Sequence, residues 1–226
     1  HAFRTQSADD ADYRTFCEKE AYWLKDYALF HAAKKEHGGA AWMEWPEEIK
    51  HRAPDALNAL AERQRDAVEL DYFKQYVFHT QWNRLHAYAR TKGIEILGDM
   101  PIFIAQDSAD VWAHQQLFDL NEDGSPHTVA GVPPDYFAVN GQLWGNPQYN
   151  WTAMAEEHYA WWKRRFRKLR EQVDIIRIDH FRGFESYWSV DGKADTALNG
   201  TWLKGPGKAF FDEVERELGP LNIVAE

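Results

Sequence analysis

Cysteine is nearly missing from this chain. Cys17 is the only one among 226 residues, so no internal disulfide can form, and the sequence reads as one made for a reducing compartment, the cytoplasm. No run of about 18 apolar residues occurs, which excludes a helical membrane span. Nor is there a basic, apolar, small-residue segment of the secretory kind. Positive charge is in deficit too: the formal net charge is −10, and the basic residues are scattered or gathered in one helical stretch, "KRRFRKLR". Cations near the end of a helix account for that cluster, so neither nucleic acid nor a membrane surface is expected as the main partner. The 10 histidines show no HxH or HExxH spacing, and no metal site is expected from them. Internal repeats and low-complexity tracts are also absent.

What is plentiful is aromatic surface. Aromatics make up 15% of the chain, with 11 Trp, inside a hydrophobic share of 44%, enough to build one substantial core or part of a larger one. Tryptophan and tyrosine also supply flat platforms for sugar rings. The chain begins at His1 and ends on Glu226 directly after a hydrophobic run, and it is read as an internal piece of a longer protein.

Along the chain, residues 7 to about 90 read as helical. Ser7 with Asp10 resembles a capping pair ahead of "ADYRTFCEKEAYWLKDYALFHAAKKEHGG", which Gly38 and Gly39 close. An aromatic, proline-punctuated connection follows. From Asp55 to Arg90 a second helical pattern carries Leu57, Leu60, Val68, Tyr72 and Tyr76 at helical spacing. At Gly93 the period changes: Ile94–Leu97 reads as a buried strand leading to Asp99. Residues 119–150, rich in Gly, Pro and Asn, read as a long ordered loop of functional character. Asn150 is placed to cap the next helix, with Tyr159, Trp162, Phe166 and Leu169 on its inner face. Then come a strand over Val173–Ile178, a loop, a helix near Lys208–Leu218 and a last strand, "NIVAE". Continuously apolar strands alternating with helices point to an α/β fold with a parallel sheet covered on both faces.

Three of these strands lead to an acid: Asp99, Asp179 and Glu226. In parallel α/β architectures the working groups stand at the C-terminal ends of strands. Neighbouring strands lie about 4.8 Å apart, so acids on adjacent tips can stand about 5–5.5 Å apart, the separation used by retaining glycosidases. Asp179 and Glu226 form that pair if their strands are neighbours, as the single intervening helix suggests. Arg177 and Asp179 share a strand face because side chains alternate, and a guanidinium beside the carboxylate favours its charged form. Glu226, after Ile223, Val224 and Ala225, is expected in drier surroundings suited to acid work. The same features have plainer uses. Arg-x-Asp is a common structural ion pair, a lone His180 is often a hydrogen-bonded loop residue, Asp99 can cap a helix, and Trp112, Tyr136, Phe137 and Trp144 can all be packing.

The motifs "GDMPIFIAQDSADVWA", "AGVPPDYFAVNGQLWGNP", "IIRIDHFRGFESYW", "GPGKAFF" and "IVAE" resemble, in order, the successive signatures of the 4-α-glucanotransferases of glycoside hydrolase family 77. "FCEKEAYWLKDYALF" and "WPEEIKHR" are similar to that family's helical insertion. The resemblance implies a (β/α)8 barrel of which this chain carries three parallel strands. Residues 1–90 would be helical insertion and lead-in helix, and residues 91–226 partial barrel, with loop 119–150 over the active site. It implies transfer of an α-1,4-glucan segment between maltooligosaccharides, with retention and without a cofactor. By motif position Asp179 would be the nucleophile and Glu226 the general acid/base, flanked by Arg177, His180 and Asp99. Trp144 would lie near the glucan, with Trp112, Tyr136 and Asn146 as further candidates for substrate contact.

The sequence departs from the family pattern at Gln106, where Glu is frequent, and at Asn140. The family's third carboxylate would lie past Glu226. Three strands do not close an eight-stranded barrel, and open sheet edges recruit other chains, so residues 1–226 alone are expected to be inactive and poorly soluble. Two other functions stay open on residues alone: an α-glucan hydrolase, and a non-catalytic glucan-binding module in which the aromatics suffice and the acids are structural. Oligomeric state is not readable.

Overall fold

The computed structural model describes residues 11–226, so the Ser7–Asp10 capping pair lies outside the described residues. The chain divides into two compact units. One runs up to Leu85 and takes in Asp107–Ala113; the other comprises His86–Gln106 and His114–Glu226.

The first unit is helical: α1 (Ala11–Lys19), α2 (Ala21–Glu36), α3 (Glu47–Lys50), α4 (Pro54–Arg63), most of α5 (Arg65–Thr91) and α6 (Ala109–Ala113). The expected first long helix is two helices, parted at Glu20, whose buried carboxylate accepts a hydrogen bond from Trp23 Nε1. The second expected helix likewise parts at Gln64, whose side-chain amide bonds Glu36 at 2.7 Å. Helix α2 ends as its glycines require. Gly38 and Gly39 take positive φ of 64° and 86°, the N–H of Gly39 donates to Lys34 O and that of Gly38 to Lys35 O, and this reciprocal pair satisfies carbonyls that the helix end leaves free. The core centres on Phe30, Trp42, Trp45 and Trp112, all buried. Trp112 packs edge-on to Trp45 at 5.6 Å, donates its Nε1–H to Ile49 O at 3.0 Å and is covered by the Arg52 guanidinium at 4.4 Å.

The second unit holds strands β1 (Leu97–Pro101), β2 (Thr128–Val132), β3 (Gln142–Pro147), β4 (Ile175–Asp179), β5 (Ser186–Asp191), β6 (Gly200–Lys204) and β7 (Ile223–Ala225), and helices α7 (Trp151–Glu156), α8 (Ala160–Gln172) and α9 (Gly207–Leu218). Strands β1, β4 and β7 form the expected parallel sheet, in the order β1-β4-β7. Asn150 caps α7, its Oδ1 accepting from Ala153 N at 3.1 Å. Met100, Ile176 and Ile178 are buried on one sheet face. An aromatic core forms between α8, α9 and the segment after β4, where fully buried Trp162 meets Phe166, Phe184 and Phe210.

Further features differ from the sequence reading. Strand β1 starts at Leu97, so the run Ile94–Leu97 largely precedes it; Ile94 and Leu97 are exposed and Asp99 stands within the strand. The region 119–150 is more than a loop, for it supplies β2 and β3. These join β5 and β6 in a four-stranded antiparallel sheet of order β3-β2-β5-β6, in a stretch where only a loop was expected. Part of the basic run of α8 is engaged by α9: Lys163 pairs with Glu213 and Glu217, Arg167 with Glu217, and Arg170 donates to Leu218 O.

Asp174, at the entry to β4, ties the sheet to the end of α5. It accepts from Ile96 N at 2.9 Å, contacts His86 Nε2 at 2.8 Å and receives Arg90 Nε at 2.7 Å. The backbone hydrogen bond first, then His86 and Arg90, hold its carboxyl down to about 2. A carboxyl depressed on folding contributes stability above its unfolded value near 3.9, which is lost as pH falls through the folded value. We predict that Asp174→Asn costs on the order of 1–2 kcal/mol at pH 7, discounted for the exposure of Arg90. In thermal melts the gap to the parent should narrow between pH 4 and about 2. A constant gap over that window would contradict the assignment.

Candidate active site

The site is assembled by register. In β1 and β4, Asp99 is the partner of Arg177 and Pro101 of Asp179. In β4 and β7, Arg177 is opposite Val224 and Ile178 opposite Ala225. The ladder continues one residue further through the main chain of Glu226, whose N–H donates to Ile178 O at 3.1 Å and whose carbonyl accepts from Phe181 N at 2.7 Å. Alternation then puts Asp99, Arg177, Asp179 and Glu226 on the face opposite the buried Ile176 and Ile178.

Arg177 is the hub. Its Nη1 donates to Asp99 Oδ1 at 2.6 Å, its Nη2 lies 3.5 Å from Asp179 Oδ1, and Nε and Nη2 both reach Glu226 Oε2. Because the same Nη2 contacts both strand-tip acids, the two carboxylates stand within the span of one guanidinium. Asp99 and then Glu226 push Arg177 further up from its ordinary value. The expected dry setting for Glu226 is not what the structure has: its side chain is 62% exposed and ion-paired. The apolar residues before it belong to the strand, and the carboxylate itself leaves that environment at the tip.

Asp179, His180 and Glu226 line a cleft of about 530 Å³ with Pro101, Ile102, Phe103, Trp144, Asn146 and Arg182. His180 has a left-handed backbone, φ 55°, a conformation uncommon outside glycine that turns the chain sharply after β4. Its ring packs edge-on to Trp144 at 4.9 Å and against Phe103 at 6.3 Å, and its buried Nε2 has no hydrogen-bond partner among the described residues. Burial first, with Arg182 adding and Asp179 opposing, pushes the imidazole below its ordinary value, favouring its neutral form.

The loop after β1 is fixed from below. Arg165 donates to Pro101 O at 3.1 Å, Tyr149 Oη to Ile102 O at 2.5 Å and Asn146 Nδ2 to Ile104 O at 2.8 Å. Tyr149 also stacks on Phe103 at 6.0 Å. Between β2 and β3 the chain projects Tyr136 and Phe137, each 93% exposed and packed edge to face with one another. Asp135 accepts from the N–H groups of Phe137 and Ala138, closing a tight turn. Gly141 returns the chain at φ 68°, where a Cβ would meet Val132 O at 2.4 Å.

Thus Asp99, Arg177, Asp179, His180, Trp144, Asn146 and Glu226 share one face or cleft of the second unit. Tyr136 stands apart on the tip of the β2–β3 loop. Trp112 is corrected: enclosed in the helical unit with no exposed face, it offers no platform to a ligand. Sequence reasoning missed Ile102, Phe103 and Arg182. All three lie within three residues of a strand tip, the signal that singled out the acids. Among the described residues no group of three His, Cys, Asp or Glu is arranged to hold a metal ion, and no helix is long and apolar enough to cross a membrane.

The sequence model of the family described as 4-alpha-glucanotransferase matches residues 1–226. The 4-alpha-glucanotransferase of Thermus thermophilus is 46% identical over 214 residues, which cover 95% of this chain and 43% of that protein. The Synechocystis enzyme of the same name is 46% identical over 228 residues, 99% of this chain and 45% of its own length. Among solved structures, amylomaltase from Streptococcus agalactiae in complex with acarbose superposes with a TM-score of 0.91 at 40% identity, over 95% of this chain and 43% of that one. The chain therefore spans under half the length of these relatives.

Proposed function

The chain belongs to the 4-alpha-glucanotransferase family, and from that premise we propose that the whole protein moves an α-1,4-glucan segment from one maltooligosaccharide to another by retaining double displacement. Asp179 attacks C1 of the scissile glucose. The C1–O bond breaks, and Glu226 in its acid form gives its proton to the departing glucan's 4-oxygen. A second glucan then enters. Glu226, now a carboxylate, takes the proton of the acceptor's 4-hydroxyl as that oxygen displaces Asp179 from C1. No cofactor takes part. Arg177 keeps Asp179 and Glu226 in register, while neutral His180, with Trp144 behind it, offers a polar edge to sugar hydroxyls. In this reading the exposed Tyr136–Phe137 loop would cover bound glucan and disfavour water as acceptor. In the same reading residues 1–90 serve as helical insertion and lead-in helix, and residues 91–226 as part of the barrel.

The observation that carries this reading is the pairing of β4 with β7, which brings Asp179 and Glu226 to one guanidinium. Maltotriose supplied to the protein translated from the parent reading frame tests it. Transfer gives glucose together with a ladder of longer chains. Shorter products alone would mean hydrolysis, and no products at all would leave a glucan-binding module.

A further inference from the structure

Arg182 lines the cleft, yet the chemistry above makes no use of it. Its guanidinium carbon lies 4.1 Å from the centroid of the Trp202 ring, and among the described residues the side chain has no hydrogen-bond or ion-pair partner. The ring beneath it is braced. Trp202 on β6 is the cross-strand partner of Trp188 on β5, their rings packing edge-on at 5.4 Å, and Trp188 Nε1 donates to Ala197 O at 2.9 Å. A guanidinium laid flat on an indole keeps its in-plane N–H donors free, because stacking uses the face and hydrogen bonding uses the edge. Nor is its charge spent as a counterion, since Arg177 already serves Asp99, Asp179 and Glu226. Over Trp202, Arg182 thus presents its fork of N–H donors on the wall of the cleft.

We propose that Arg182 is a further substrate-binding residue of this cleft, its N–H groups taking hydroxyl oxygens of a glucose unit beside the scissile one, with Trp202 as the positioning residue that holds it flat. This rests on the glucanotransferase reading and adds a subsite to it. Trp202 is 40% exposed and is not among the residues lining the cleft, so its role is exerted through Arg182. A lysine at position 182 has neither the plane to stack nor the fork to bind.

The test uses the protein of the parent reading frame and maltoheptaose. Calorimetry in an Asp179→Asn background reads binding without turnover, and transfer kinetics in the otherwise unaltered protein read KM against kcat. Arg182→Ala and Arg182→Lys are expected to weaken binding about tenfold and to raise KM more than they lower kcat. Trp202→Leu should reproduce that loss, Trp202→Phe should stay within about twofold of the parent, and the Arg182→Ala/Trp202→Leu double variant should be no worse than either single one. Thermal melts identify any variant that does not fold, in which case Arg182→Gln, which keeps the stem and part of the donor set, decides. Normal transfer with unchanged Kd and KM in Arg182→Ala or Arg182→Gln would overturn the proposal and leave the glucanotransferase reading intact. Absent transfer in the parent, with maltoheptaose binding still weakened by Arg182→Ala, would do the reverse. If only Trp202→Leu is silent, the positioning role falls.

Discussion

Asp179→Asn in the parent protein is expected to lower glucan transfer by about 10⁴-fold or more, because an amide oxygen cannot form the glycosyl ester on which both half-reactions depend. Glu226→Gln should give a comparable loss on maltooligosaccharides, whose departing oxygen needs a proton. The two variants part on a substrate whose leaving group needs none. With an α-maltosyl fluoride, Glu226→Gln should still release fluoride in a first burst and then stall at the glycosyl-enzyme, since no base remains to activate an acceptor. Asp179→Asn should release none. Mass spectrometry of the stalled protein reads the same difference as a covalent maltosyl adduct present only in Glu226→Gln. If both variants burst, or neither does, Asp179 and Glu226 do not hold the separate roles of nucleophile and acid/base.

That assignment could be approached from sequence because strand-tip acids obey a rule of architecture rather than of detail. The run Val173–Ile178 is apolar apart from Asp174 and Arg177, as a strand buried on one face requires, and Asp179 follows it at the strand's end. The parallel order β1-β4-β7 follows from the same logic. Local polarity was a poorer guide. Glu226 follows three apolar residues, but neighbours in sequence alternate across a strand, so Val224 and Glu226 share one face and Ala225 takes the other; the apolar run describes the strand, and the carboxylate's own surroundings are set by Arg177. The antiparallel sheet was hidden for a related reason. Strands β2 and β3 are five and six residues long and contain Gly131, Gly145 and Pro147, residues that propensity assigns to loops. Strand β2 is also paired with β5, far along the chain, which no local window sees. Trp112 illustrates the limit for aromatics: whether an indole stacks on a sugar or fills a core depends on what surrounds it, and here Phe30, Trp45 and Arg52 surround it.

Arg177 presents the second large effect. Its removal leaves Asp99, Asp179 and Glu226 on one sheet face without their shared cation, so Arg177→Met is expected to cut kcat by about 10²–10³-fold through mutual repulsion and loss of register between nucleophile and acid/base. Arg177→Lys should recover little of this. An ammonium can approach one carboxylate closely, whereas the guanidinium meets Asp99 through Nη1, Asp179 through Nη2 and Glu226 through Nε and Nη2. Charge alone therefore does not substitute for the fork. The control is Asp99→Asn, which deletes one carboxylate while leaving the fork on the other two; it should cost less than Arg177→Lys, and in the Arg177→Met background it should restore part of the lost rate by removing one repelling charge. Steady-state kinetics on maltotriose for the four variants measure this. A fully active Arg177→Lys would show that the arginine serves only as bulk positive charge, and additive losses for Arg177→Met and Asp99→Asn would show that the two side chains do not act through one another.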